Sequence, residues 1–486
     1  MAIDPGLRRL ALRTLLAAFA GTSPPAWASA LVTDGLAGLT LFGANVGDPD
    51  QVARLTGELR SARPDVLVAI DEEGGDVTRL AHRTGSPYPG NAALGAIGDP
   101  DLTRTIYAAL GGELAAAGIN LDLAPAVDVN TAEDNPVIGT RSFGADPAQV
   151  ARHAAAAVQG LQSTGVAACA KHFPGHGATL VDSHLALPTV DVPLEVLRER
   201  DLPPFAAVIA AGARSVMTAH IRVPALTGTD PATFTAPALR DLLRGEYGFT
   251  GAVLTDALEM RGACEAAGGI GPAAVRALAA GADLLCLGAR VDAGLVEHVV
   301  AEIVSAVGDG RLDRRRLEDA ATRTGELAAW AARPRVPTGA AARAADLGYA
   351  AARRAVRVEG SVADLADPLV VQLVSAHSIA EGRVPWGLSP HLNGTEQVTV
   401  VPAETSPERL AGRAGPRPVV VVGRHVHRAE ATRTLVESLA ARHAVAVVEM
   451  GWPSRWRPAG ARAFVTTYGA SHANGRAAAE ALGLVR

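Results

Sequence analysis

The stretch Val166-Ala-Ala-Cys-Ala-Lys171-His172-Phe-Pro174-Gly175-His176-Gly177-Ala-Thr-Leu-Val-Asp182-Ser-His184-Leu-Ala-Leu-Pro188 joins an apolar run to a dense polar loop. Val166 to Ala170 reads as a strand, and Pro174, Gly175 and Gly177 forbid a helix directly after it. A rigid strand therefore delivers Lys171, His172, His176, Asp182 and His184 into one short loop, the kind of place where active sites concentrate. One histidine there would be ordinary surface. Five titratable groups point to a site. His172 and His176 stand four apart, but the proline and glycines remove the helical face that would pair them, and no Cys or Glu completes a zinc set. No metal is expected. Asp182 and His184 read as a dyad, whether both point one way from an extended segment or a tight turn brings the carboxylate to a ring nitrogen. Such a contact fixes the tautomer and raises the basicity of a His that gives and takes a proton near neutral pH.

Seven more short apolar runs resemble the one before this loop. Together the eight lie at residues 15–20, 38–42, 66–71, 121–127, 166–171, 215–219, 252–256 and 284–287, with Ala-rich helical segments between them. Eight alternations predict a (β/α)8 barrel with its active site at the C-terminal strand ends. The alternative is a doubly wound sheet, which eight strands would make wide and open. Long connections at 131–141 and 176–189 predict local irregularity. Past Pro334 and Pro337 an Ala/Arg-rich helix is expected over 340–356. Runs at 369–374, 398–401, 419–422, 445–448 and 464–466 then alternate with helices such as 429–441. The expected organisation is a barrel over 1–335, a helical linker over 336–362 and a smaller C-terminal α/β sandwich over 363–486. Val422-Gly423-Arg424 lacks the glycine spacing of a dinucleotide site, so no cofactor is expected. Trp386, Trp452 and Trp456 are assigned to packing.

The 486 residues are 48% hydrophobic and 20% charged, with a formal net charge of −5. This is an ordinary packed protein without the basic footprint of a nucleic-acid binder. Three cysteines, Cys169, Cys264 and Cys286, form no disulfide framework and favour a reducing compartment. Arg8-Arg9, the apolar stretch to Ala20 and Ala26-Trp27-Ala28 imitate a secretory leader. Arg13 interrupts that stretch, Asp4 sits in the would-be basic region, and cleavage after Ala28 would delete the first strand. A cytoplasmic protein is expected. No apolar run reaches membrane-spanning length without charge.

Other strand ends carry polar groups. Ile70-Asp71-Glu72-Glu73-Gly74-Gly75, with Arg79 further on, reads either as carboxylates for sugar hydroxyls or as an acid-rich helix start. Asn135-Pro-Val-Ile-Gly-Thr-Arg141-Ser-Phe-Gly144 frames an Arg whose planar fork suits hydroxyl or carboxylate recognition, or a plain ion pair. Asp128 and Asn135 are expected to cap or bridge that loop. His220 either touches substrate or is a bonded structural His. Asp256, directly after Val253-Leu-Thr, would stand at the barrel mouth, where an ionised carboxylate can attack an anomeric carbon. Glu259 is expected to start a helix or support the loop.

Lys171-His172-Phe-Pro-Gly-His-Gly followed by Asp182-Ser-His184 resembles the signature of the β-N-acetylglucosaminidases of glycoside hydrolase family 3, in their two-domain form. The resemblance is strong over the barrel and loose beyond it. It implies that His184, oriented by Asp182, is the acid/base and that Asp256 is the nucleophile. It further implies that Asp71, Arg79, Arg141, Lys171 and His172 bind the sugar. Glu72 departs from the Gln most often found there. The expected activity is retaining, exo-acting removal of N-acetylglucosamine from saccharides or muropeptides, in peptidoglycan recycling. Alternatives are transfer of the glycosyl group to phosphate, β-glucosidase activity, or a catalytically dead carbohydrate-binding protein.

Overall fold

The computed structural model describes residues 4–333, 344–363, 365–375, 377–392 and 394–485. The expected end of the barrel near residue 335 lies outside the described residues. Two compact units divide the chain. The first comprises Met1–Glu72, Thr103–Pro136 and Ala145–Ala342, and the second comprises Glu73–Leu102, Val137–Gly144 and Arg343–Arg486.

The first unit is built on β1 (Leu15–Ala17), β2 (Gly38–Leu41), β3 (Leu67–Ile70), β4 (Leu121–Asp122), β5 (Ala167–Phe173), β6 (Ser215–Thr218), β7 (Ala252–Thr255) and β8 (Leu285–Cys286). Their order in the sheet is β7-β6-β5-β4-β3-β2-β1-β8. Each ladder is parallel, and a parallel bridge from Leu254 to Leu284 brings β7 back to the start of β8. The eight strands close into a (β/α)8 barrel. Every residue of all eight is buried. That is why they read as continuous apolar runs rather than as alternating ones. Seven strands are shorter than their runs, whose remaining residues lie outside the ladder, whereas β5 runs on past Lys171 to Phe173.

Three helices around the barrel open on an Asp-Pro pair. Pro5–Leu12, Pro49–Ala62 and Pro147–Ser163 each begin one residue after an Asp whose side chain accepts a backbone N–H of the first turn. Proline presets φ where no N–H is needed, and the carboxylate satisfies a donor that the helix cannot. The helix Arg314–Ala331 has a different task. Its Leu327, Ala328, Trp330 and Ala331 join one apolar cluster with Ala37, Leu67, Leu121, Ala167 and Leu284. Those five residues stand at or just before strand starts, so this helix stoppers the N-terminal end of the barrel.

The second unit carries β9 (Arg357–Gly360), β10 (Leu369–Leu373), β11 (Gln397–Val400), β12 (Val419–Gly423), β13 (Val445–Glu449) and β14 (Ala463–Thr466), in the order β11-β10-β12-β13-β14-β9. All ladders are parallel except β14 with β9. Alternate residues feed two cores: Val370, Val420, Val422, Ala446 and Val448 on one face, Val371, Val421, Val445 and Val447 on the other. The expected α/β sandwich is therefore a central sheet covered on both faces. Trp386 packs against the first core and Trp456 against the second. Among the described residues no helix is long and apolar enough to cross a membrane.

Leu327 tests the stopper helix. Leu327→Ala removes a buried side chain from the strand-start cluster, and truncations of this kind cost about 2–5 kcal/mol. Urea unfolding should show a lower midpoint with an unchanged slope. A loss below about 0.5 kcal/mol, the scale of an ordinary surface substitution, would remove the helix from that role.

Candidate active site

The groups of the barrel unit collect where strands end. Asp71 follows β3 directly, and Lys171 lies within β5, 100 residues later in the chain. The buried Lys171 Nζ stands 2.8 Å from Asp71 Oδ1. An ammonium removed from water needs such a carboxylate partner. Beneath them lies Asp122, the last residue of β4. One of its oxygens accepts the Glu72 N–H at 3.0 Å, while the other has no hydrogen-bond partner. Burial pushes the Asp122 carboxyl well above the ordinary carboxylate range.

The loop after β5 is organised by Asp128. Its Oδ2 lies 2.7 Å from His172 Nδ1, and its Oδ1 accepts the N–H of His176 at 2.6 Å and that of His172 at 3.3 Å. Burial raises the Asp128 carboxyl, but the His172 charge and hydrogen bond, with those of His176, hold it net below its ordinary value. His176 Nδ1 faces Thr179 Oγ1 at 2.7 Å and its Nε2 faces Ser183 Oγ at 2.9 Å. Both ring nitrogens are thus engaged by hydroxyls. Burial, reinforced by His172, lowers the His176 pKa to about 4, so this ring is neutral at physiological pH. Asn135 bridges to the same loop through a bond to the His176 carbonyl at 3.0 Å. Gly177 is required by proximity: a Cβ there would lie 1.9 Å from the Val129 carbonyl oxygen.

Asp182 and His184 meet inside their own loop. Asp182 Oδ1 lies 2.7 Å from His184 Nδ1 and also accepts the His184 backbone N–H at 2.9 Å. Both bonds involve one carboxylate oxygen, so the turn, not a distant element, sets the ring. His184 remains half-exposed while Asp182 is buried. Burial pushes Asp182 up, yet the two His184 bonds bring it net below its ordinary value. The arrangement leaves Nε2 as the ring atom that can exchange a proton with a substrate.

Asp256 follows β7. Its Oδ1 accepts the Ala257 N–H at 2.7 Å. Burial opposes its charge, but His172, His220 and His184 hold the carboxyl down to about 2. His172 and His184 come from β5 and the loop after it, and His220 from the end of β6, so two strand ends bias one carboxylate. His220 is fixed by Thr233 Oγ1 at 2.9 Å and the Ala257 carbonyl at 3.1 Å, and burial keeps its pKa low. It buttresses the loop after β7. Glu259 Oε1 accepts the Ala289 N–H at 2.7 Å, tying that loop to the one after β8.

Two residues singled out in the sequence belong to the other unit. Arg79 donates to the carbonyls of Ala380 and Glu381 at 2.7 and 3.2 Å. Arg141 holds Glu73 in a two-pronged pair of 2.9 and 2.7 Å, both side chains buried. Asp71, Lys171, His172, Asp182, His184 and Asp256 thus belong to the barrel unit, and Arg79 and Arg141 to the second unit. The sequence reading gave Asp128 only a bridging task; its partners lie 44 and 48 residues away, beyond any local signal.

Two outcomes follow from these charges. Asp128→Ala leaves the His176 N–H without its acceptor and frees the His172 ring, and an unsatisfied buried donor costs about 1–3 kcal/mol. Thermal unfolding and kcat/KM should both fall, with Asp128→Asn recovering part of the stability by keeping an acceptor. Asp256 behaves as a depressed acid. Its contribution to stability is full above the ordinary value of 3.8 and is lost as pH falls toward about 2. Acid unfolding should show a stability increment lost over that window in the parent and absent from Asp256→Asn.

The barrel sequence has close counterparts among known proteins. A model of the "Glycosyl hydrolase family 3 N terminal domain" matches residues 19–327. The chain is 34% identical over 332 residues to Beta-hexosaminidase A of Pseudoalteromonas piscicida, across 63% of this chain but only 55% of that protein. A solved glycoside hydrolase family 3 β-N-acetylglucosaminidase from Paenibacillus is similar over 100% of this chain and 98% of its own, at 32% identity and TM-score 0.87. NagZ from Neisseria gonorrhoeae matches 69% of this chain and 97% of its own, at 30% identity and TM-score 0.56. With that family's domain model matched across most of the chain, from β2 to the stopper helix, the protein belongs to glycosyl hydrolase family 3 and is a glycoside hydrolase.

Proposed function

We propose that the protein is a retaining exo-β-N-acetylglucosaminidase acting on terminal N-acetylglucosamine. The observation that carries this reading is the Asp182–His184 contact of 2.7 Å in the barrel unit, together with Asp256 directly after β7, its carboxyl held low by neighbouring imidazoles that include His184. Relatives named β-hexosaminidase and β-N-acetylglucosaminidase support the choice of sugar. Asp256 attacks C1 while protonated His184 gives its proton to the leaving oxygen. A glycosyl-enzyme results, and the leaving group departs as an alcohol. Neutral His184 then takes a proton from water as that water attacks C1, releasing the sugar with its β configuration retained. Asp182 stabilises the imidazolium in the first step and holds the tautomer in the second. Lys171, Asp71 and His172 hold ring hydroxyls and so position C1 against the carboxylate. The departure from the usual pair of carboxylates means that the acid/base is neutral, not anionic, once it has given up its proton.

The natural substrates proposed are muropeptide fragments in the cytoplasm, with water as acceptor. Phosphate is the alternative acceptor, because neutral His184 adds no charge against it. A carboxylate in that place, about 4 Å away at an effective dielectric near 20, would oppose it by roughly 4 kcal/mol.

Hydrolysis of 4-nitrophenyl N-acetylglucosaminide should far exceed that of the glucoside; the reverse preference would make the enzyme a β-glucosidase, and inertness on both a binding protein. Asp256→Asn should lower kcat by at least about 10³, roughly 4 kcal/mol of transition-state stabilisation. His184→Ala should impair alkyl glycosides much more than nitrophenyl ones, whose leaving groups need little protonation. With phosphate present, a sugar 1-phosphate seen by phosphorus NMR would replace water as the acceptor.

A further inference from the structure

The end of the barrel away from these groups holds a cavity of about 220 Å³. It opens where β1, β2 and β3 begin, beside the stopper helix, with Arg9, Arg13 and Arg63 around it. Its lining includes one carboxylate, Asp65, which already stands 2.8 Å from Arg63 Nε. Arg63 is fixed by the preceding helix–strand segment, donating to the carbonyls of Val32 at 3.1 Å and Ala37 at 3.0 Å. Arg9 has only a long contact of 3.5 Å to the Asp34 carbonyl, and the Asp34 carboxylate is taken by Arg8 at 3.1 Å. Arg13 is exposed, and its guanidinium makes no hydrogen bond or ion pair to any described residue. Burial, together with the nearby Arg13, pulls the Arg63 pKa down against the pull of Asp65. The positive charge gathered here is therefore only partly compensated by the protein.

Small residues keep the space open. Gly35 and Ala37 on one side, and Ala321, Gly325 and Ala328 of the stopper helix on the other, bring no long side chain into it. A packed barrel end would ordinarily fill such a space with Leu or Ile. No aromatic ring lines the cavity, so nothing there can stack a nucleobase. Its volume is below that of pockets for drug-sized ligands. Guanidinium forks pair in two-pronged fashion with phosphate and carboxylate oxygens. Three forks from two chain segments, the first helix with its C-cap and the turn before β3, can reach separate oxygens of a tetrahedral group.

We propose that the cavity ringed by Arg9, Arg13 and Arg63 is a binding site for a compact anion carrying phosphate, separate from the catalytic groups. Arg63 is its preorganised anchor, and Arg9 and Arg13 close on the ligand from the rim. A bound anion ties the first helix, the β2 and β3 entries and the stopper helix together, so occupancy stabilises the barrel.

Calorimetric titration of the full chain with pyrophosphate at low ionic strength tests this. Binding should be seen, with an accompanying rise in unfolding temperature. The double variant Arg9→Ala/Arg13→Ala should bind at least about ten-fold more weakly and lose that rise. Both side chains are exposed, so the variant should fold and keep its activity. Arg152→Ala, an exposed arginine on another helix, should bind as the parent does. Citrate distinguishes the chemistry, since tighter binding of the tricarboxylate would overturn the assignment to phosphate. No pyrophosphate binding, or binding and stabilisation undiminished in the double variant, would overturn the site.

Discussion

Asp128 is the constraint on which the loop after β5 depends. A carboxylate sealed from water is costly unless each lone pair finds a donor, and this one finds the His172 ring and two backbone N–H groups. The cost of burying the charge is thereby converted into geometry. His172 cannot rotate without stranding a buried acid, and the chain from His172 to His176 cannot drift without stranding an N–H. Gly177, pressed on the Val129 carbonyl, closes the same knot from the other side. Asp256 then feels an imidazole field whose source is held in place by a residue that need never touch substrate.

The second unit is held by charges of a different origin. Asp76 comes from the chain between β3 and β4, yet its partners are Arg424 at 3.1 Å and the Ala470 N–H at 2.7 Å, with Thr140 at 2.6 Å. Arg424 also meets Glu381 at 2.8 Å. Glu449, fully buried, is raised by burial to about 7 even though three backbone N–H groups donate to it. Buried ions survive only with partners of this quality, and removing one member leaves the other stranded. Segments that interrupt the barrel sequence thus belong energetically to the chain hundreds of residues later.

The parts of the fold legible in the sequence are those whose signal is local. The eight barrel strands could be read because burial on both faces makes each an unbroken apolar run. β9 escaped because it is an edge strand with all four residues exposed, so Arg357 to Gly360 carries no burial pattern. The same division holds at the site. Asp182 and His184 could be paired on spacing alone, whereas the Lys171–Asp71 contact and the hold of Asp128 on His172 span 100 and 44 residues. Nothing in the composition of the 71–79 or 135–144 segments tells that Arg79 and Arg141 take partners in the second unit, because an arginine looks the same whether it will meet a sugar or a carbonyl.

The closeness of Asp182 and His184 has a consequence for how such an enzyme changes over time. Most paired catalytic groups sit on separate elements, so altering one demands that the scaffold keep its register with the other. Here the pair proposed to handle the proton is written into three consecutive residues that bond to each other. It can be lengthened or lost as a single short insert while the proposed nucleophile, Asp256, stays directly after β7. Diversification of leaving-group or acceptor preference can therefore proceed by trading one loop, with the rest of the gene untouched.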